Sequence, residues 1–260
     1  MKKFLVMLLL AVTAICTGCG DSNNVNKVYV IGLDDEYAPM GFRDDKGEIV
    51  GFDIDLAKEA ARRMGVKFEF KPIDWDKKRE EITSGNIDII WNGCDITDER
   101  KEYMIFSKPY MDNRQILLVK KGTNQDIHTV GDLEGKIVGT QSGSTSEQYV
   151  NETPELKNSF KDFKVYLNFK TAFNALDSGE VDVLICDEIV GRYGLIRNPG
   201  KFAVLEVTVG RPCEIGIGFR KNDVELRDEV QKAFDSMIKD GTAKKISEQW
   251  FQADIIKNIR

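Results

Sequence analysis

The chain reads ITSGNIDII at residues 82–90 and LDSGEVDVL at residues 176–184. Each stretch starts at a predicted helix end, passes through a Ser-Gly pair that favours helix termination, and finishes in an apolar run typical of a buried strand. Two copies in different halves of the chain predict two similar lobes, each with its own sheet. A common helix-to-strand turn would produce the same match, and the sequence leaves that alternative open.

Short apolar runs and amphipathic helical patterns alternate along the rest of the chain. A strand pattern at 27–32 precedes a helix pattern that begins near residue 52 with an acidic first turn and stops at Gly65. This alternation indicates α/β architecture with mostly parallel sheets. Ligands of open α/β sheets bind beyond the carboxyl ends of the strands. Residues 91–97 and 186–188, which follow the two matched strands, are therefore predicted to face each other across a cleft.

The N-terminus predicts export. Lys2 and Lys3 are followed by an apolar run over residues 4–15. This run is shorter than the roughly 20 residues that a helix needs to cross a bilayer. This order is typical of a secretory signal peptide, here residues 1–18.

Thr17 and Gly18 before Cys19 resemble a bacterial lipobox, although Cys16 stands where Leu is usual. The motif implies a lipid on Cys19. Residues 19–26 would then form a small, polar, lipid-anchored linker that holds the protein at the outer face of the cell membrane. Ordinary cleavage that leaves Cys19 as a free thiol is the alternative.

Composition excludes several classes of protein. The 260 residues include 37 basic and 43 acidic side chains, a balance that argues against a nucleic-acid partner because phosphate binding needs clustered positive charge. Cys94, Cys186 and Cys213 are too few and too widely spaced for a disulfide framework or a zinc site. They are predicted to be buried small residues, with one bridge from Cys94 to Cys186 or Cys213 left open. No cofactor or metal is predicted.

Six segments carry a resemblance to a known family: YAPM at 37–40, GFDIDLA at 51–57, DITDER at 95–100, FSKPY at 106–110, GTQSGST at 139–145 and VDVLICD at 181–187. In this order they resemble the type 3 family of bacterial extracellular solute-binding proteins, the polar amino-acid receptors of ABC transporters. The resemblance runs from about Val28 to Trp250.

The resemblance implies the type II fold of periplasmic binding proteins, with two α/β lobes, a two-strand hinge and a ligand cleft between the lobes. Lobe 1 would comprise residues 27–114 plus 212–260, and lobe 2 residues 119–207. The hinge would lie near 115–118 and 208–211. A monomer is implied that closes on a free amino acid and delivers it to an ABC permease.

An amino-acid zwitterion needs partners for both its carboxylate and its ammonium, because burying either unpaired is costly. By resemblance, Arg100 would bind the carboxylate with its planar guanidinium fork, and Asp187 would bind the ammonium. Asp187 could also serve as a helix N-cap. The remaining groups of the carboxylate shell would be Thr97, Gly143, Ser144 and Thr145.

The resemblance also implies a set of residues around the ligand side chain: Asp34, Tyr37, Phe52, Asn92, Gly93 and Asp95. Tyr37 and Phe52 are expected to be aromatic walls. Asp34 and Asp95 favour a cationic amino acid such as arginine or lysine. Asp95 departs from the hydroxyl residue usual at its position and Asn92 from a small one, so glutamine, cystine and other polar amino acids stay open.

The sequence leaves two other functions to consider. Some proteins of this fold are dehydratases, and carboxylate pairs can perform acid-base catalysis. The single histidine, His128, lies in a polar stretch without a nucleophile motif, so the sequence predicts a protein that is not an enzyme. A ligand-sensing module of a signalling system is the other alternative, and it would need a separate partner.

Overall fold

A computed structural model describes residues 27–257. The predicted signal peptide, the lipidation site Cys19 and the linker up to residue 26 lie outside these residues. Among the described residues, no helix combines the length and the apolar character that crossing a membrane requires.

The strands and helices alternate as predicted. The strands are β1 Val28–Leu33, β2 Glu36–Tyr37, β3 Gly41–Arg43, β4 Ile49–Val50, β5 Lys67–Pro72, β6 Ile89–Ile90, β7 Met104–Phe106, β8 Met111–Lys120, β9 Ile137–Gln141, β10 Asp162–Tyr166, β11 Val183–Asp187, β12 Phe202–Ile215 and β13 Gly218–Arg220. The α-helices are α1 Phe52–Met64, α2 Lys78–Thr83, α3 Asp98–Lys101, α4 Thr145–Glu152, α5 Pro154–Ser159, α6 Phe169–Ser178, α7 Glu188–Arg197, α8 Val224–Lys239 and α9 Thr242–Phe251. Two 3₁₀ turns, Trp75–Lys77 and Val130–Leu133, complete the elements.

These strands form two five-stranded sheets and one small sheet. The first sheet has the order β5-β1-β6-β13-β7, the second the order β10-β9-β11-β8-β12, and β2, β3 and β4 make the third. Strand β1 runs parallel to β5 and β6, and β9 runs parallel to β10 and β11. The predicted α/β class with two sheets is confirmed. The prediction of mostly parallel sheets was wrong, because β8, β12, β13 and β7 add antiparallel pairings and make both sheets mixed.

The matched stretches occupy equivalent places, because β6 and β11 are the central strands of their sheets. Gly85 and Gly179 end the preceding helices with φ values of 81° and 80°, a left-handed conformation that glycine adopts without strain. The side chain of Asp88 accepts a hydrogen bond from Val30 N at 2.7 Å, and that of Asp182 accepts one from Ile137 N at 2.8 Å. The repeat therefore includes the bond that ties each central strand to its parallel neighbour.

Two long strands connect the sheets. Strands β8 and β12 pair antiparallel within the second sheet, while Tyr110 N donates to Ile215 O and Asp95 forms a bridge with Ile215 on the side of the first sheet. Residues 115–118 of the predicted hinge pair with β11. Residues 208–211 adjoin register shifts in the β8/β12 ladder. The lobe boundaries stay a prediction.

Gly51 sets the start of α1 and supports the loop beside it. Its φ of 145° and ψ of 169° lie in a region that essentially only glycine adopts. A Cβ at this position would lie 2.3 Å from Met40 O. Gly51 therefore permits a backbone approach between α1 and β3 that no other residue allows.

We expect Gly51→Ala to lower the free energy of unfolding by about 2–6 kcal/mol, because backbone strain and overpacking each contribute roughly 1–3 kcal/mol. The matched control is Gly47→Ala, since Gly47 also has a positive φ, 81°, but nothing lies within 4 Å of its added Cβ. That control should lose only about 1–2 kcal/mol. Urea unfolding of both variants measures the difference, and equal losses would contradict this account of Gly51.

Candidate functional site

Polar side chains gather where the carboxyl ends of strands from the two five-stranded sheets meet. The buried members of this cluster are Asp34, Asn92, Asp95, Arg100, Asn113, Gln115, Gln141, Ser144 and Asp187. Asp34 follows β1, Asn92 and Asp95 follow β6, Gln141 ends β9 and Asp187 ends β11. The position agrees with the prediction that residues after the two matched strands face each other.

The hydrogen bonds that join the two sides of the cluster include three between a neutral side-chain donor and an aspartate. Tyr37 Oη donates to Asp187 Oδ2 at 2.6 Å, Gln141 Nε2 donates to Asp34 Oδ2 at 2.6 Å, and Thr145 Oγ1 donates to Asp95 Oδ2 at 2.6 Å. In each pair, a donor from one side satisfies a carboxylate from the other. The three aspartates therefore link the ends of the two sheets.

Asp187 is the most heavily bonded of these acids. Besides Tyr37, its carboxylate accepts from Asn113 Nδ2 at 2.5 Å and from Gln115 Nε2 at 2.7 Å. Asp187 occupies the N-cap position of α7, but its side chain makes no capping bond there. Burial, followed by the nearby charge of Asp95, raises the pKa of Asp187 above its ordinary value. The Asp187 carboxylate therefore accepts its hydrogen bonds from the cluster and does not cap α7.

Arg100 belongs to the cluster and not to the surface, because only 3% of the residue is exposed. Thr97 caps α3 by accepting from Arg100 N at 3.2 Å, which starts the short helix that carries the arginine. The guanidinium donates to Asp95 O at 3.0 Å and to Gly143 O at 3.3 Å. It also lies over the Trp75 ring, 5.8 Å from the ring centroid.

The segment 143–145 forms the start of α4 opposite Arg100. Ser144 is the N-cap and accepts from Glu147 N at 3.1 Å, and Gly143 has a φ of 68°. The first amides of an α-helix have no intrahelical partner and favour anions. The structure therefore brings Gly143, Ser144 and Thr145 to the same place as Arg100, as the resemblance implied.

The predicted side-chain pocket is gathered around Tyr37. Asp34 accepts from Glu36 N at 2.9 Å, and its backbone N–H donates to Asn92 Oδ1 at 3.0 Å. Burial raises the pKa of Asp34 to about 6. Gly93 lies against the Tyr37 ring, since a Cβ there would be 2.7 Å from Tyr37 Cε1.

Phe52 is the exception among the predicted pocket residues. Its ring is fully buried and packs against Phe251 and Tyr110, with ring centroids 5.0 and 6.5 Å away. The structure does not bring it into the hydrogen-bonded cluster, and its role as a wall stays a prediction. Trp75, which no sequence pattern indicated, is an aromatic residue that covers Arg100.

Asn113 and Gln115 were also missed. They lie two residues apart in β8, with Arg114 between them, and both point their amides at Asp187. Two amides at i and i+2 of one strand were the available signal, because such residues face one side of a sheet. A groove of about 1050 Å³ lined in part by Gln115 and Thr145 opens beside the cluster.

Cys94 and Cys186 are buried and Cys213 is partly exposed, and all three are free thiols. Within residues 27–257, no group of three or more His, Cys, Asp or Glu side chains has the arrangement of a metal site.

Five charged side chains in and beside the cluster have no ion-pair partner among the described residues. Asp34, Asp95 and Asp187 accept only from neutral donors. Arg100 and Lys78 donate to backbone carbonyls, apart from a 3.7 Å contact of Arg100 with Cys94 Sγ. Buried charges are usually paired, so an acidic side and a basic side of this kind are suited to a ligand that carries both charges.

Comparison with known proteins gives one family. The family model for bacterial extracellular solute-binding proteins, family 3, matches residues 29–253. The L-cystine-binding protein TcyJ of Escherichia coli (strain K12) is 32% identical over 91% of this chain and 89% of its own. The lysine/arginine/ornithine-binding periplasmic protein of the same strain is 33% identical over 98% of this chain and 99% of its own.

A solved structure gives the same likeness in three dimensions. It is an ABC uptake transporter substrate binding protein from Streptococcus pneumoniae with bound histidine. Its TM-score is 0.83 at 38% identity, over 89% of this chain and 95% of that one.

Asp53 supports the loop at Gly93 and makes stability depend on pH. It accepts from Gly93 N at 2.6 Å and from Tyr110 Oη at 2.7 Å, and burial raises its pKa to about 7. The folded chain then holds this proton more tightly than the unfolded chain, so this contribution to stability is present below about pH 4 and is lost as the pH rises to about 7.

We expect Asp53→Asn to flatten this part of the pH profile, because asparagine resembles the protonated acid and cannot ionise. Its stability relative to the unchanged chain should increase between pH 5 and pH 8, as measured by urea unfolding. The raised pKa values of Asp34 and Asp187 leave a residual slope in the pH profile of stability of both proteins. Parallel profiles would contradict the assignment to Asp53.

Proposed function

This chain belongs to family 3 of the bacterial extracellular solute-binding proteins, and we propose that it captures a free cationic amino acid for an ABC importer. The observation that carries the proposal is the buried cluster that gathers Asp34, Asp95, Asp187 and Arg100 without an ion pair. The named relatives, which bind cystine and lysine, arginine or ornithine, support an amino-acid ligand.

Each end of an amino acid finds a complementary group. Arg100 and the first amides of α4 suit the α-carboxylate, because a guanidinium fork and a helix N-terminus both favour an anion. Asp187 suits the α-ammonium, since its carboxylate is buried and held in place by three donors. These pairings satisfy two charges that would otherwise be buried at high cost.

The excess of acid favours a cationic side chain. The α-ammonium accounts for one of the three carboxylates, which leaves Asp34 and Asp95 for a second positive group. A guanidinium or ammonium at the end of the ligand side chain would offset these charges. A neutral ligand such as glutamine would leave both acids without a cation.

We propose that the ligand is enclosed by closure of two lobes, residues 27–114 plus 212–260 and residues 119–207. The hinge would lie near 115–118 and 208–211, in the strands that connect the sheets. Domain closure around a ligand is a common hinge motion. The bonds of Tyr37 with Asp187 and of Gln141 with Asp34 are the contacts that closure would form.

We also propose that the chain is exported and held at the outer face of the membrane by a lipid on Cys19, after removal of residues 1–18. The lipobox-like residues before Cys19 support this, as does membership of an extracellular family. A permease in the same membrane would be the partner of this monomer.

The ligand would be bound and released without chemical change. The polar groups of the cluster form hydrogen bonds with one another. His128, the only histidine in the sequence, is exposed and lies next to the start of a 3₁₀ turn. The relatives named above are binding proteins. Recovery of unaltered amino acid after prolonged incubation is the corresponding check.

Thermal unfolding against a panel of amino acids, cystine and ornithine tests this function. Residues 20–260, refolded free of carried ligand, should unfold on the order of 10 °C higher with arginine or lysine. A ligand at a thousand times its Kd adds about 4 kcal/mol, and a domain of this size gains about 2–4 °C per kcal/mol. No shift with any amino acid would overturn the proposal, and a shift with cystine or glutamine alone would overturn only the cationic class.

Two neighbouring aspartates should have separable effects on binding. Asp187→Asn should weaken every amino acid by at least about a hundredfold, because it removes the partner of the α-ammonium. Asp95→Asn keeps the shape of the site and should weaken arginine and lysine more than glutamine. Calorimetric titration of both variants measures the effects. Unchanged affinity in Asp187→Asn, or equal losses for charged and neutral ligands in Asp95→Asn, would contradict these roles.

A further inference from the structure

Lys78 is a buried lysine beside the proposed ligand site, and none of the ligand contacts proposed above involves it. Only 5% of the residue is exposed. Its Nζ donates to Trp75 O at 3.1 Å and to Gly143 O at 2.7 Å, and lies 5.2 Å from the centroid of the Trp75 ring. Lysine is almost never buried unless it is paired, yet both of these acceptors are uncharged.

Arg100 converges on the same point. Its Nη2 also donates to Gly143 O, at 3.3 Å, so two cations from one side of the cleft share a single neutral oxygen from the other side. The approach is close, because a Cβ on Gly143 would lie 2.7 Å from Asp76 Cα and 3.0 Å from Lys78 Nζ. Two like charges in a buried place repel each other unless an anion lies between them.

The donors of both cations are only partly used. An ammonium has three N–H donors and a guanidinium has five, and Lys78 makes two bonds within the described part of the chain. The start of α4 lies beside them, since Gly143 directly precedes its N-cap Ser144. Lys78, Arg100 and the first amides of α4 therefore present positive charge at one place in the cleft.

We propose that Lys78 is a second cation for the ligand's α-carboxylate, next to Arg100, and thereby a binding residue that sets the charge of the preferred ligand. This inference rests on the proposed function. With Lys78 included, three carboxylates oppose two cations, and a ligand with a net charge of +1 balances the cluster.

Proton uptake distinguishes this role from a structural one. Burial, followed by the charge of Arg100, lowers the pKa of Lys78 in the free protein to about 7. The other groups that face it are Cys94, Asp76 and Glu99, with Glu147 bonded to the Gly143 amide. A bound carboxylate favours the ammonium, so the pKa of Lys78 rises on binding and the site takes up protons above pH 7.

The experiment is calorimetric titration of L-arginine at pH 8 in buffers of different ionisation enthalpy. If the panel shows a larger thermal shift with another amino acid, that amino acid replaces L-arginine. At pH 8 Asp34 is already ionised, because its pKa is about 6, and Lys78 is largely neutral. We expect uptake of roughly half to one proton per ligand by the unchanged chain.

Lys78→Met should lose most of this uptake and bind at least tenfold more weakly. Lys78→Gln is the second variant, because it keeps a donor for the carbonyls and removes only the charge, and it should also lose the uptake. Lys77→Met is the matched control, since Lys77 is exposed and pairs with Asp74 at the surface. It should behave as the unchanged chain does.

Equal proton uptake in the unchanged chain and in Lys78→Gln would overturn the role of Lys78 and leave the proposed function standing. So would binding by the unchanged chain without proton uptake. Absence of binding of every amino acid by the unchanged chain would overturn the proposed function, and this inference with it.

Discussion

The need to satisfy buried charge governs the cleft. Asp34, Asp95 and Asp187 are each almost completely buried, and a buried carboxylate without hydrogen bonds is very costly. Some of their donors come from across the cleft, so the bonds of Tyr37 and Gln141 satisfy the acids and join the two sheets at the same time. The electrostatics of the site and the relative position of the sheets therefore depend on the same contacts.

The scaffold behind the cluster is built from a repeated unit. In each sheet, a helix ends at a left-handed glycine, and an aspartate then bonds to the neighbouring parallel strand. This unit places the end of a central strand at the cleft in both halves. Asn92 and Asp95 follow one copy, and Asp187 ends the other. Because the strands are rigid and buried, short polar segments at their ends can be held in fixed positions.

Charge separation within the cleft connects this scaffold with the proposed function. Family membership makes the chain a solute-binding protein, but the fold alone does not select a ligand. Under the proposed function, selection would come from the unpaired groups, with acids around Tyr37 in one part of the cleft and Arg100 with Lys78 against the Trp75 ring in another. A zwitterionic amino acid carries charges that complement both parts.

Local patterns of the sequence were enough to predict the α/β class, the two-sheet organisation and the segments that reach the cleft, because periodicity, glycine caps and short motifs are local properties. The motifs also singled out Arg100 and Asp187, which are both buried in the cluster. Which side chains meet depends on tertiary packing. Phe52 and Trp75 are both aromatic, but only Trp75 covers Arg100, and Lys78 reads as an ordinary helix residue until Gly143, 65 residues further along, lies against it. Such contacts join distant residues through packing, and no local pattern encodes them.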